Sequence, residues 1–178
     1  MGTYATDLQT MGIGLLLARV VIGLLMAAHG AQKLLGWFGG FGLNATGAFM
    51  TQLGFHPGRA FATAAAVSEI ASGLLVASGL LGPIGPAVMI SVMIVAAVTV
   101  HWEHGLFAMK NGIELPLLYG TAAFALAFTG FGQYSLDAWL GIAGRWSAAG
   151  TSLVVALGIV GGFANLTLRR RPATAAVR

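Results

Sequence analysis

Residues 11–35, MGIGLLLARVVIGLLMAAHGAQKLL, decide the fold, because this apolar run contains only two charged side chains, Arg19 and Lys33. At a rise of 1.5 Å per residue, one helix of this length crosses a hydrocarbon core of about 30 Å. Four further apolar runs follow, and we place them at residues 59–81, 84–102, 114–131 and 151–168. The sequence therefore predicts an all-α membrane helix bundle with five transmembrane helices.

The composition of the whole chain also favours a lipid environment. Hydrophobic residues make up 57% of the 178 residues and charged residues 8%, whereas soluble domains carry about 25% charged residues. The absence of cysteine excludes disulfides and thiolate chemistry. The net charge is +4, but a third of the basic residues, 169–171, directly follow an apolar run and form a typical cytoplasmic anchor. We therefore exclude nucleic-acid binding.

The distribution of basic residues predicts the orientation of the chain. With the N-terminus outside and the C-terminus in the cytoplasm, Arg145 lies outside. The inner side then holds seven basic residues: Lys33, Arg59, Lys110, Arg169, Arg170, Arg171 and Arg178. We expect a multi-pass protein of the inner (plasma) membrane. Its predicted parts are a four-helix domain over residues 1–140, an additional transmembrane helix over 141–168 and a basic cytoplasmic tail over 169–178.

Small and aromatic residues predict further details of the bundle. The glycine-rich residues 36–57 are typical of an irregular loop with a short interfacial helix. Gly158 and Gly162 have the small-xxx-small spacing that lets another helix approach closely, although glycine is frequent throughout this chain. The following aromatic residues are candidate anchors at the membrane interfaces: Trp37, Trp102, Tyr119 and Trp139.

Two ionisable residues lie deep within predicted spans, where an unpaired charge is unfavourable. Arg19 is in the first span and Glu69 is in the second. Counted from opposite ends of antiparallel neighbours, both lie near the centre of the bilayer. We therefore predict a buried ion pair between Arg19 and Glu69. Such a pair can fix helix register without any part in activity, and the sequence leaves that reading open.

A second polar group gathers at the predicted cytoplasmic side. Its members are His29, Lys33, His101, His104 and Glu114. Together with Arg19 and Glu69, they are candidates for binding a ligand or relaying protons, because histidine titrates near neutral pH. Histidine and lysine can also donate hydrogen bonds to the carbonyl oxygens of a quinone. They can equally be polar residues that terminate helices. No spacing is typical of a metal site, so we predict no bound metal.

Several motifs resemble those of the DoxX family of integral membrane proteins. Four motifs occur in order along the chain, and the resemblance covers residues 19–140. The first comprises residues 19–23 and 29–34, the second residues 68–75, the third residue 101 together with residues 112–119, and the fourth residues 130–137. The resemblance implies a four-helix membrane bundle and places Arg19, His29, Lys33, Glu69, His101, Glu114 and Asp137 on motif positions. Asp137 has a second reading, as the N-cap of a short interfacial helix. The fifth predicted span lies beyond the family core.

The same resemblance implies a bacterial or archaeal membrane subunit linked to quinone metabolism or oxidative-stress defence. We expect no covalently bound cofactor, a quinone or similar small amphiphile as ligand, and a soluble redox enzyme as partner on the membrane surface. The chain alone is not expected to be catalytic, and self-association into a homo-oligomer is also open. The alternative is a membrane scaffold, or a transport-like protein for a small solute or lipid, without redox chemistry.

Overall fold

The structure is a computed structural model that describes the backbone of residues 2–170 and the side chains of residues 7–170. Within these residues the chain is helical and contains no strand. The α-helices are α1 (Gly2–Leu35), α2 (Gly42–Gln52), α3 (Gly58–Ser78), α4 (Ile84–Ala96), α5 (Glu114–Thr129), α6 (Leu136–Trp139) and α7 (Ala148–Thr167). Helix α4 continues through a π-helical turn, Ala97–His101, and a 3-10 turn, Trp102–His104. Further 3-10 turns are Trp37–Gly39, Ala108–Lys110 and Ala143–Arg145.

Within the part of the chain that the structure describes, four helical segments are long and apolar enough to cross a membrane, which confirms the predicted helical membrane bundle. These segments are Asp7–Leu35, Gly58–Ser78, Ile84–His104 and Ala148–Thr167. Helix α5, the predicted fourth span, is apolar but has 16 residues, which is about 24 Å of helix. It is therefore shorter than a typical span.

Glycines set the packing of α1 against α3. A Cβ atom added at Gly23 would meet the backbone of Gly73 and Ala77, and one added at Gly30 would meet Ala66 and Ile70. Later residues of α1 face earlier residues of α3, so the two helices are antiparallel. Because Gly23 and Gly30 have no side chain at these contacts, the two backbones approach closely and their relative register is fixed.

Helix α7 packs against α4 through the predicted glycine pair. Gly158 lies against the backbone of Ala87, and Gly162 lies against Ser91 and Ile94. Both glycines are therefore packing residues, and the two helices run parallel. Helices α1, α3, α4 and α5 form a ring of neighbouring contacts, and α7 lies outside it against α4 and α5.

The bundle has two ends, which we name after residues of α1. The Lys33 end contains the C-terminus of α1, helix α2 and the start of α3 and α5. There the last described residues are attached to the α2–α3 turn, because Arg169 Nε donates to Leu53 O and Arg170 N donates to Gly54 O. The Arg19 end contains the C-terminus of α3, where Gly79 adopts a left-handed conformation with φ 69°, together with α6.

Candidate functional site

Glu69 and Lys33 form an ion pair at the Lys33 end, between α3 and α1. The Glu69 side chain is 1% exposed and that of Lys33 is 31% exposed, and Lys33 Nζ donates to Glu69 Oε1. The second carboxylate oxygen, Oε2, is buried and has no hydrogen-bond partner within the described residues. A buried acceptor without a partner is unfavourable for stability, so this oxygen requires an explanation.

The predicted ion pair between Arg19 and Glu69 is wrong. Arg19 is buried, and its guanidinium donates to Ala77 O and Tyr134 O instead. Ala77 O belongs to the last turn of α3, where the carbonyl groups lack partners within the helix and the helix dipole favours a positive charge. Arg19 therefore acts as a cap that joins α1, α3 and the segment before α6.

Helix register explains why the two charges do not meet. Gly23 faces Gly73 and Ala77. Arg19 lies one turn from Gly23 toward the Arg19 end, whereas Glu69 lies one turn from Gly73 toward the Lys33 end. The two residues are thus roughly ten residues apart along the helix axes, about 15 Å. Counting depth from the ends of the apolar runs did not reveal this offset, because the glycine contacts set it.

Glu69 lines a cavity of about 270 Å³ that we call the Glu69 cavity. Its walls come from α2, α3, α4, α7 and the α2–α3 turn, and they are largely apolar. Lys33 lies at one side, and His101, at the far end of α4, also lines the cavity. Other lining residues include Phe49, Phe55, Phe61, Val92, Val95 and Asn165. An isolated, buried carboxylate oxygen in an apolar cavity is typical of a binding site for a small molecule.

A second cavity, of about 510 Å³, adjoins the first, and we call it the His29 cavity. The two cavities share Lys33, Thr46 and Phe49 as lining residues. His29 Nδ1 lies 3.2 Å from Gln32 Oε1, and its ring meets that of Tyr119 edge-on at 5.8 Å between centroids. Tyr119 is buried in the core, so the expectation that it anchors the chain at the interface is wrong. Lys33 therefore joins the two cavities.

The other predicted residues at the Lys33 end are not all in one site. His101 Nδ1 lies 2.8 Å from Asn111 O, and His104 Nδ1 lies 3.0 Å from Val100 O. Glu114 Oε2 accepts a hydrogen bond from Ala108 N. His104 lines a separate exposed pocket with Glu103 and Arg169. Of the predicted cluster, the structure brings Lys33, Glu69 and His101 to the Glu69 cavity and His29 and Lys33 to the His29 cavity.

Asp137 stabilises a turn at the Arg19 end. Its two oxygens accept hydrogen bonds from Leu81 N and Gly82 N, at 2.8 and 2.7 Å. The N-cap of α6 is Ser135, whose side chain accepts from Ala138 N. The N-cap reading of Asp137 is therefore wrong, although its role is still structural. Asp137 connects α6 to the turn between α3 and α4.

Sequence reasoning missed several residues of the two cavities. Thr46, Phe55 and Asn165 line the Glu69 cavity but carry no motif. Asn165 gave one usable signal, because it is a polar residue within an otherwise apolar span. Within residues 2–170, no group of three or more His, Asp or Glu residues is placed to hold a metal ion.

Comparisons with known proteins place the chain in a family. A comparison with curated proteins finds no match, and neither does a comparison with solved structures. The family model DoxX matches residues 14–102, which is half of the chain. The match covers α1 to α4, including Arg19, His29, Lys33, Glu69 and His101, and it ends before Glu114, Asp137 and α7. The chain therefore belongs to the DoxX family of membrane proteins.

Proposed function

We propose that the Glu69 cavity binds the head group of a quinone-like or other small amphiphilic ligand. The unpaired Oε2 atom of Glu69 carries this proposal, because it is a buried polar atom of a residue that lines an apolar cavity. A bound head group that carries a hydrogen-bond donor would supply the missing hydrogen bond and would place its apolar ring against the phenylalanine and valine side chains. Binding would thus satisfy a polar atom and fill an apolar space at once.

Lys33 and His101 are the other polar groups that we assign to this site. An ammonium group has three donors, of which one is used by Glu69. The remaining donors are available to a carbonyl oxygen of the ligand in either cavity, because Lys33 lines both. The same position suits Lys33 and His29 to pass protons between the Glu69 cavity and the His29 cavity.

We further propose a role as a membrane subunit linked to redox metabolism or oxidative-stress defence. In this role a soluble partner enzyme exchanges electrons with the bound ligand, and it docks at the Lys33 end. That end exposes apolar side chains together with the basic residue Lys110. The exposed apolar side chains there are Trp37, Phe38, Phe41, Trp102, Phe107 and Met109. A second copy of the chain is another candidate partner.

We propose that the protein lies in the inner membrane of the cell. In the proposed orientation, the Lys33 end faces the cytoplasm. Because α7 runs parallel to α4, the basic residues Arg169 and Arg170 lie at the same end as Lys33 and Lys110, whereas Arg145 lies near the opposite end. This distribution fits the excess of basic residues found on cytoplasmic sides. The predicted tail beyond Arg170 lies outside the described residues.

The experiment is a binding titration of the purified protein in detergent micelles with a short-chain benzoquinone and, under anaerobic conditions, with its hydroquinone. We expect saturable binding of at least one of the two forms, with one site per chain. We expect binding of the tighter form to weaken at least about tenfold in Glu69→Gln, because that variant loses the charged anchor of the site. Glu103→Gln is the matched control, since Glu103 is exposed and outside the Glu69 cavity. Binding that is absent in the unmodified protein, or equal in the two variants, contradicts the proposal.

One observation favours transport of a small solute or lipid as a second candidate. The two cavities share Lys33, Thr46 and Phe49, so that movement of a few side chains would connect them. In that case protein in liposomes would carry a solute across the membrane without any electron donor. Flux that requires Lys33 and proceeds without redox partners would favour this function over the first.

A further inference from the structure

The unpaired oxygen of Glu69 restricts the chemistry of the ligand. A carboxylate that is paired with an ammonium group accepts hydrogen bonds and donates none. Oε1 is already bound to Lys33, and Oε2 has no partner within residues 2–170. A ligand atom that reaches Oε2 must therefore donate a hydrogen bond. A carbonyl oxygen at that position would place two acceptors against each other and would be repelled.

The size of the Glu69 cavity restricts the ligand further. Its volume of about 270 Å³ is just below the usual range for small-molecule sites, about 300–1,000 Å³. The walls around Glu69 include the rings of Phe49, Phe55 and Phe61. Such a cavity suits one substituted ring, which aromatic side chains contact through its faces and edges. A long apolar chain on the ligand would have to lie outside it.

We propose that the preferred ligand is a phenol or hydroquinone, whose hydroxyl group donates a hydrogen bond to Glu69 Oε2. This inference rests on the proposed function and names the chemical class of its ligand. In terms of a quinone couple, the site selects the reduced form, because only the reduced form carries the donor. The Lys33 ammonium holds Oε1, and Oε2 is the oxygen of Glu69 that is left to accept a hydrogen bond from the ligand.

The test compares three ligands that share one ring and one short alkyl chain. They are a para-hydroquinone, the corresponding quinone and the corresponding dimethyl ether, in which both hydroxyl donors are blocked. Equilibrium dialysis against the full-length protein in micelles, under anaerobic conditions, gives the three dissociation constants. We expect the hydroquinone to bind at least about tenfold more tightly than either of the others, as is typical of a hydrogen bond to a charged group.

The comparison on the unmodified protein decides the inference without any variant. If the quinone binds as tightly as the hydroquinone, or more tightly, the inference fails while the proposed function stands. If the hydroquinone and its dimethyl ether bind equally, the hydroxyl makes no contribution and the inference fails. If none of the three binds, both the inference and the proposed function fail.

Variants then assign the preference to Glu69. In Glu69→Gln we expect the ratio of quinone to hydroquinone dissociation constants to fall at least about fivefold, because an amide is a weaker acceptor and can donate to a carbonyl. The matched control, Glu103→Gln, should keep the ratio of the unmodified protein. An unchanged ratio in a folded Glu69→Gln protein contradicts the role of Glu69.

Discussion

A double-mutant cycle on Lys33 and Glu69 measures the ion pair that positions the Glu69 carboxylate. Lys33→Met leaves a carboxylate that is 1% exposed without its charged partner, and removing one partner of a buried pair costs about 3–5 kcal/mol. Because the Lys33 side chain is 31% exposed, solvent screens part of the interaction, and we expect about 3 kcal/mol. Glu69→Gln removes the buried charge and should cost about 1 kcal/mol. The double variant should cost about 2 kcal/mol less than the sum of the single variants.

The assay is reversible unfolding in mixed micelles, followed by helical circular dichroism as the fraction of denaturing detergent rises. A second cycle on Arg19→Met and Glu69→Gln serves as the control. Residues about 15 Å apart without shared partners should behave additively within about 0.5 kcal/mol. Two results together would refute the Lys33–Glu69 ion pair: additive losses of stability for Lys33 and Glu69, and a coupling energy above about 1 kcal/mol for Arg19 and Glu69. They would favour instead the Arg19–Glu69 pair expected from the sequence.

Two further predictions concern the helix contacts. Arg19→Met should destabilise the bundle by about 2–4 kcal/mol in the same unfolding assay, because Ala77 O and Tyr134 O lose their donor. Arg145→Met, at an exposed arginine, is the control and should change the free energy of unfolding by less than about 0.5 kcal/mol. Equal losses in the two variants would contradict the capping role of Arg19. Gly23→Ala should cost about 1–3 kcal/mol through overpacking, whereas Gly14→Ala, where an added Cβ meets nothing within 4 Å, should stay within about 1 kcal/mol. Equal tolerance at the two glycines would exclude a close α1–α3 contact.

Much of the architecture follows from the sequence because transmembrane helices have a simple requirement. Length and apolar composition located the long helices, and the glycine pair, Gly158 and Gly162, predicted a close helix contact. The predicted interfacial helix within residues 36–57 is present as α2. The predicted span at residues 114–131 is present as α5, which ends two residues earlier, at Thr129.

The side-chain partners inside the bundle could not be predicted in the same way. Arg19 and Glu69 were the obvious opposite charges, but backbone carbonyls at a helix end are equally good partners for a guanidinium, and no residue pattern records them. Lys33 was expected near the membrane interface. Its side chain is long enough to reach from there toward the bundle interior, where it meets Glu69. The cavity was also hidden, because its walls come from several helices that only the tertiary packing brings together.

The close backbone contact between α1 and α3 has a mechanical consequence for the Glu69 cavity. Lys33 and Glu69 are both carried by this pair of helices, and glycine contacts prevent the pair from sliding. The distance between the Glu69 carboxylate and the Lys33 ammonium is therefore set by the contact between these two helices. Helices α2, α4 and α7 supply the rest of the wall, so the volume of the cavity can change only if these helices or their side chains move relative to α1 and α3.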